Sequence, residues 1–312
     1  MSGLVEATRD AYGRALVQLG AEREDVVVLD ADLSGSTRTA KFAEKYPDRF
    51  FNAGVAEQNL MNMAAGLALA GKIPFASTFA VFATGRAWEQ IRNTIAYPRL
   101  PVKIVATHAG LTVGEDGASH QALEDIALMR AIPGMTVIVP ADGDEAEAAI
   151  RSAVEIDGPV YVRLGRSKTQ PITGGGFQRG RGTTLSNGED VAIVACGIMV
   201  SAALEAADYL RERGASCRVI NMSTIKPLDE DLLVRAARGC GAVVTAEEHN
   251  VIGGLGGAVA ELLSAVHPVP VVRVGVDDVF GQSGDPEGLL QYYGLKYTDL
   301  ASACWRAMEM KG

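Results

Sequence analysis

Short β-rich apolar runs alternate with longer stretches of helical periodicity through most of this chain. Val26-Val-Val-Leu29, Val102-Lys-Ile-Val105, Thr136-Val-Ile-Val139 and Val160-Tyr-Val162 are separated by segments whose apolar positions recur every three or four residues. That alternation predicts a mostly parallel sheet covered by helices. One helix is sharply defined: Leu60, Met61, Ala64, Leu67 and Ala68 form a continuous apolar face, and Gly71 ends it. The stretch Pro171-Ile-Thr-Gly-Gly-Gly-Phe-Gln-Arg-Gly-Arg-Gly-Thr183 breaks both periods and reads as a linker. Beyond it the alternation resumes with Asp190-Val-Ala-Ile-Val-Ala195, a helix through Ala202 to Arg213, Cys217-Arg-Val-Ile220, a helix through Asp229 to Arg238, and Ala242-Val-Val-Thr245. The expected fold is α/β with two domains, each a mostly parallel sheet covered by helices, over residues 1–170 and 188–312, with residues 171–187 as the linker.

Composition is consistent with this picture and narrows the partners. At 312 residues and 48% hydrophobic, the chain is long and apolar enough for two cores. A formal net charge of -9 and a pI near 5.1 argue against nucleic acid or an anionic membrane as partner. No apolar run approaches the length of a membrane span, and Met1 to Gly20 mixes charges with helical periodicity instead of showing a signal peptide's apolar core. Cys196, Cys217, Cys240 and Cys304 contain no Cys-x-x-Cys pair and read as buried thiols of a reducing compartment, so the expected location is cytoplasmic.

Candidate chemistry begins at Phe51-Asn-Ala-Gly-Val-Ala-Glu-Gln-Asn-Leu-Met61, where Glu57 follows a Gly turn and enters the first turn of the apolar helix. A solvated carboxylate favoured by the helix dipole would explain it alone. A second candidate is Thr107-His-Ala-Gly-Leu-Thr-Val-Gly-Glu-Asp-Gly-Ala-Ser-His-Gln121, which gathers two of the chain's four histidines around an acidic turn after a predicted strand. Loops of that kind hold ligands in α/β proteins. A zinc site is disfavoured, because His108 and His120 are twelve residues apart with neither a nearby Cys nor i, i+4 pairing. Gly253-Gly-Leu-Gly-Gly257 lacks the third glycine of a dinucleotide loop, Val259 standing in its place, and reads as a close-packed loop opening a helix.

These segments, with Ser77-Thr-Phe-Ala-Val-Phe82, Ile132-Pro-Gly134, Val139-Pro-Ala-Asp142 and Glu247-Glu-His-Asn250, come in the order and approximate spacing of transketolase-like thiamine diphosphate enzymes, which the whole chain resembles. The resemblance implies that Glu57 pairs with N1' of the cofactor's aminopyrimidine and favours its 4'-imino tautomer, a better base for activating C2. It implies that Phe79 and Phe82 wall that ring and that Asp32 lies near the cofactor. By the same resemblance His108 contacts hydroxyls or phosphate of the sugar, Asp116 reads an aldose hydroxyl, and His120 lies beside the reacting two-carbon fragment. Arg9, Ser36 and Arg166 match phosphate-binding positions, with Arg163 and Ser34 as the alternatives for the last two. Where a third aromatic often stands, this chain has Gly85.

No Gly-Asp-Gly occurs, although single-chain transketolases hold the diphosphate and its metal through that run and a later Asn. The implied protein is the C-terminal subunit of a split transketolase, which moves a two-carbon ketol unit from a ketose phosphate to an aldose. An N-terminal partner subunit would carry the diphosphate and Mg2+ ligands, and two copies of each chain would assemble as a heterotetramer. Three other readings remain. The β chain of a 2-oxo acid dehydrogenase shares the architecture, but its Glu motif reads Cys-Glu-Gln and the His108, Asp116 and His120 loop speaks against it. Deoxyxylulose-phosphate synthases are similar but usually carry Arg at the positions of Phe82 and His108. A non-catalytic paralogue would have little reason to keep Glu57, Phe79 and Phe82.

Overall fold

The computed structural model describes residues 4–311. In chain order the first half contributes β1 (Glu6–Ala7), α1 (Thr8–Glu22), β2 (Val26–Asp30), α2 (Ser34–Thr37), α3 (Ala40–Lys45), β3 (Phe50–Asn52), α4 (Glu57–Leu69), β4 (Ile73–Phe79), α5 (Trp88–Gln90), β5 (Lys103–Thr107), α6 (Asp125–Arg130), β6 (Thr136–Ile138), α7 (Gly143–Val154), β7 (Val160–Arg163) and β8 (Lys168–Thr169). The second half contributes β9 (Thr183–Ser186), β10 (Val191–Ala195), α8 (Met199–Arg211), β11 (Cys217–Asn221), β12 (Thr224–Lys226), α9 (Glu230–Cys240), β13 (Val243–Asn250), α10 (Leu255–Val266), β14 (Val271–Val276), α11 (Pro286–Tyr292) and α12 (Tyr297–Glu309).

Two main sheets result, one ordered β12-β6-β7-β5-β4-β2-β3 and the other β14-β13-β10-β11-β9. Both are parallel except at one edge strand each, β12 and β9. This is the expected mostly parallel α/β architecture. Central strands such as β2, β5 and β7 are buried along their whole length, as a sheet covered on both faces requires. The helix after Glu57 buries Leu60, Met61, Ala64 and Ala68, and Gly71 takes φ +82° just past its end.

The sheets do not divide at the linker. Thr183–Ser186, inside the stretch expected to be linker, pairs antiparallel with β11, and Thr224–Lys226, well beyond it, crosses back to pair with β6. Lys226 Nζ then donates to the carbonyls of Arg130 and Ile132 at 2.8 and 2.7 Å, tying the second half to the first. Neither strand is an apolar run in the sequence, β9 reading Thr-Thr-Leu-Ser and β12 Thr-Ile-Lys. Another surprise is Lys103, which lies fully buried in β5 and donates to the carbonyls of Ile156 and Gly158. Burial pulls its pKa down to about 8.

A buried acid also lies at the contact between the two halves. Glu248, from β13, accepts from the Thr112 backbone N–H at 2.6 Å, and Gly110 at φ +82° approaches so closely that a Cβ there would meet the carboxylate. Burial raises the Glu248 pKa to about 7 against the pull of Arg163. The folded chain therefore holds a proton there that the unfolded chain has released, so stability should fall as pH rises from about 5 to 7 and level off above it. Glu248→Gln keeps the acceptor oxygen and should flatten that slope by about one proton's worth in denaturation curves across this range. An unchanged slope would assign the pH dependence to other groups.

Candidate active site

The carboxyl ends of the first sheet gather nearly every candidate residue at one edge. Asp32 and Ser36 follow β2, Glu57 follows β3, Phe79 ends β4, His108, Asp116 and His120 follow β5, and Arg166 follows β7. Arg9 arrives from α1, whose start is fixed when β1 pairs antiparallel with β8. The chain steps outward from β2 to β3 and returns to the other side of β2 for β4, which opens the crevice where ligands bind in such sheets.

Glu57 is the first residue of α4. Gly54, at φ +72°, turns the chain out of β3, and its N–H donates to Asn52 Oδ1. The carboxylate is 2% exposed, and Arg86 Nη1 donates to its two oxygens at 2.9 and 2.8 Å. Arg86 lies in a π-helical turn, Phe82–Arg86, and its guanidinium sits 4.7 Å from the centre of the Phe82 ring. Sequence reasoning passed over Arg86. The signal was available, since Arg86 stands one helical turn beyond Phe82 in the same apolar segment.

A stack of rings continues from this pair. Phe82 and Phe79 lie 6.0 Å apart at 11°, and Phe79 lies 3.8 Å from the His108 ring at 23°. His120 meets both phenyl rings edge-on at 6.2 and 5.4 Å, with Ser119 Oγ 3.0 Å from its Nδ1. His108 takes φ +56° and is nearly buried. Its Nε2 is 2.9 Å from Arg9 Nη1, and because a guanidinium only donates, Nε2 is the acceptor. The proton therefore sits on Nδ1, which donates to Thr107 Oγ1 at 2.8 Å. Burial, together with the Arg9 and Arg166 charges, pulls the His108 pKa down to about 3, so this imidazole stays neutral in one tautomer at physiological pH.

Cations wall the far side of the stack. Arg9 Nη1 also donates to the Ser36 carbonyl at 3.0 Å, while its Nε is buried without a partner. Arg166 Nη1 donates to the Val113 carbonyl at 2.6 Å, with Glu115 and Asp116 at 3.7 and 3.8 Å. The two candidate arginines differ sharply: Arg163 is buried against Asp125 at 2.8 Å and donates to the Ala122 and Glu248 carbonyls, whereas Arg166 remains partly exposed. Arg163 is thus committed to holding the fold together. Ser34 and Ser36 both lie in α2, and it is Ser36 that touches Arg9. Asp32 is exposed at φ +63° and exchanges hydrogen bonds with Asn52. Beneath it the buried Asp30, absent from the sequence candidates, accepts from Leu33 N–H, Thr37 and Thr39 and so shapes the loop that carries Asp32 and Ser36. Burial raises its pKa.

Fold and site together define a two-domain α/β chain that presents a buried helix-start carboxylate, an aromatic stack and a histidine-arginine wall along one open sheet edge. The chain belongs to the transketolase family, matching its pyrimidine binding domain over residues 6–171 and its C-terminal domain over residues 180–300. A Methanocaldococcus jannaschii protein provisionally named as a transketolase C-terminal section is 52% identical, over 99% of this chain and 98% of that one. The 6-deoxy-6-sulfo-D-fructose transketolase subunit SqwH of Clostridium sp. strain MSTE9 is 42% identical, over 97% and 95% of the two chains. Among solved structures, one described as a split gene transketolase, inactive beta4 tetramer, superposes with a TM-score of 0.93 at 58% identity, over 98% of this chain and 100% of that one. The chain therefore corresponds to the C-terminal portion of a transketolase.

Proposed function

We propose that this chain is the pyrimidine-binding subunit of a two-chain, thiamine diphosphate-dependent transketolase that transfers a ketol unit from a ketose phosphate to an aldose. The observation that carries the reading is Glu57: a buried carboxylate at a helix start, linked through Arg86 to the Phe82 ring of the Phe79 and Phe82 stack. That arrangement fits an aminopyrimidine, which needs a carboxyl group to share a proton with its ring nitrogen and an apolar wall for its face. Thiamine diphosphate, when bound, supplies a nucleophilic carbon at C2. The Mg2+ and diphosphate ligands are assigned to a partner chain on the ground that this sequence carries no Gly-Asp-Gly run. No helix of the described residues is long and apolar enough to cross a membrane.

Each residue then has a defined task. Glu57 accepts or returns a proton at the ring nitrogen, Phe79 and Phe82 exclude water from the ring, and Asp32 borders the crevice. His120 faces the reacting fragment as hydrogen-bond partner, and Asp116 accepts from an acceptor hydroxyl. His108, held as the Nδ1-protonated tautomer, accepts at Nε2 either from Arg9 or from a sugar hydroxyl. Arg9 and Arg166 receive the phosphate, with the Ser36 segment steering Arg9.

The test is ketol transfer by the chain mixed with its partner, using phosphorylated and unphosphorylated acceptors. Arg9→Ala or Arg166→Ala should raise KM for phosphorylated acceptors by about ten- to a hundredfold, the effect of losing a charged hydrogen bond, and barely change the unphosphorylated ones. Equal losses on both classes would show that these arginines hold structure instead.

A further inference from the structure

One nitrogen of one side chain holds both oxygens of Glu57. Arg86 Nη1 donates to Oε1 and Oε2, and no other hydrogen bond to this carboxylate occurs among the described residues. The contact lacks the parallel two-nitrogen fork that makes arginine-carboxylate pairs strong. Its two ends also differ, because the Glu57 side chain is 2% exposed and the Arg86 side chain 50%. Arg86 can therefore withdraw into water at small cost, whereas Glu57 cannot lose its partner without replacement. Gly85, just before it, leaves room for that movement, since a Cβ there would meet nothing within 4 Å.

Arg86 makes the two contacts that a bound aminopyrimidine needs: the Glu57 oxygens and the Phe82 ring, 4.7 Å away. We propose that Arg86 is a placeholder cation, which occupies Glu57 and Phe82 until the cofactor ring arrives and is then exchanged for it. Resting on the thiamine diphosphate reading above, this makes Arg86 a positioning residue. It compensates the buried carboxylate and fixes its orientation while the site waits, and it sets the strength with which the ring must compete.

A placeholder carries a sign that an ordinary binding residue does not. In the two-chain complex, Arg86→Ala should bind thiamine diphosphate with Mg2+ about tenfold more tightly than wild type, because no charged hydrogen bond has to be surrendered. In the isolated chain the same change should lower Tm by about 3–8 °C by leaving Glu57 unpartnered, and adding Glu57→Gln should recover most of the loss. Arg86→Gln serves the same titration should Arg86→Ala fail to fold. Weaker cofactor binding by either Arg86 variant would overturn the exchange and make Arg86 a cofactor ligand. Strictly additive effects of the Glu57 and Arg86 substitutions on Tm would overturn it too, since the pair would then be uncoupled. A wild-type complex that takes up no thiamine diphosphate defeats the proposed function along with the exchange, whereas wild-type uptake with weakened variants defeats the exchange alone.

Discussion

Replacing Glu57 with glutamine should lower kcat by at least about a hundredfold, roughly 2.7 kcal/mol of barrier, while the chain still folds and assembles. Glutamine keeps the size and one acceptor oxygen but cannot exchange a proton with the ring nitrogen. Folding should survive because the charge left behind belongs to Arg86, which is half exposed and can be hydrated. Cofactor affinity should fall as well, since the proposed function makes the ring-nitrogen contact part of cofactor binding. The decisive measurement is C2-proton exchange of bound thiamine diphosphate in deuterated water, which separates cofactor activation from every sugar-handling step. A variant that exchanges as fast as wild type yet remains inactive would move Glu57 to a later step and remove the main support for the proposed function.

The isolated chain should neither bind thiamine diphosphate tightly nor transfer ketol groups, and adding the partner chain should restore both. The physical reason is the proposed division of the site: this chain offers a carboxylate, a ring stack and cations, and the diphosphate and metal ligands are assigned to the partner. Mass spectrometry should accompany the assay to exclude contaminating partner, because robust turnover by the pure chain would sink the two-chain proposal. The active complex should sediment as two copies of each chain around a central pair, in keeping with closed symmetric assembly. A mass matching one copy of each would contradict that arrangement.

Much of this was legible along the chain, because periodicity, turn residues and helix starts are local. The apolar runs at Val26, Thr136, Val160 and Val191 became strands, and the Glu57 helix starts and stops where its flanking glycines indicate. The order of motifs identified the family, and the sheet then carried those motifs to one edge. What the sequence by itself determined was therefore the α/β class, the position of Glu57 at a helix start, and the set of rings, histidines and arginines available for chemistry.

Tertiary structure decided how those groups are spent. Arg163 and Arg166 look interchangeable in sequence, yet β7 points one into a buried pair with Asp125 and leaves the other at the crevice. Likewise, the tautomer of His108 depends on Arg9, 99 residues away, and the partner of Glu57 is 29 residues further on. Strand β12 joins the first sheet although it follows the linker, because an edge position needs backbone pairing more than an apolar pattern. Such pairings arise from strand order and loop geometry, and no local period records them. A charged side chain's role depends on what else reaches the same few ångströms, and only the folded sheet brings those groups together.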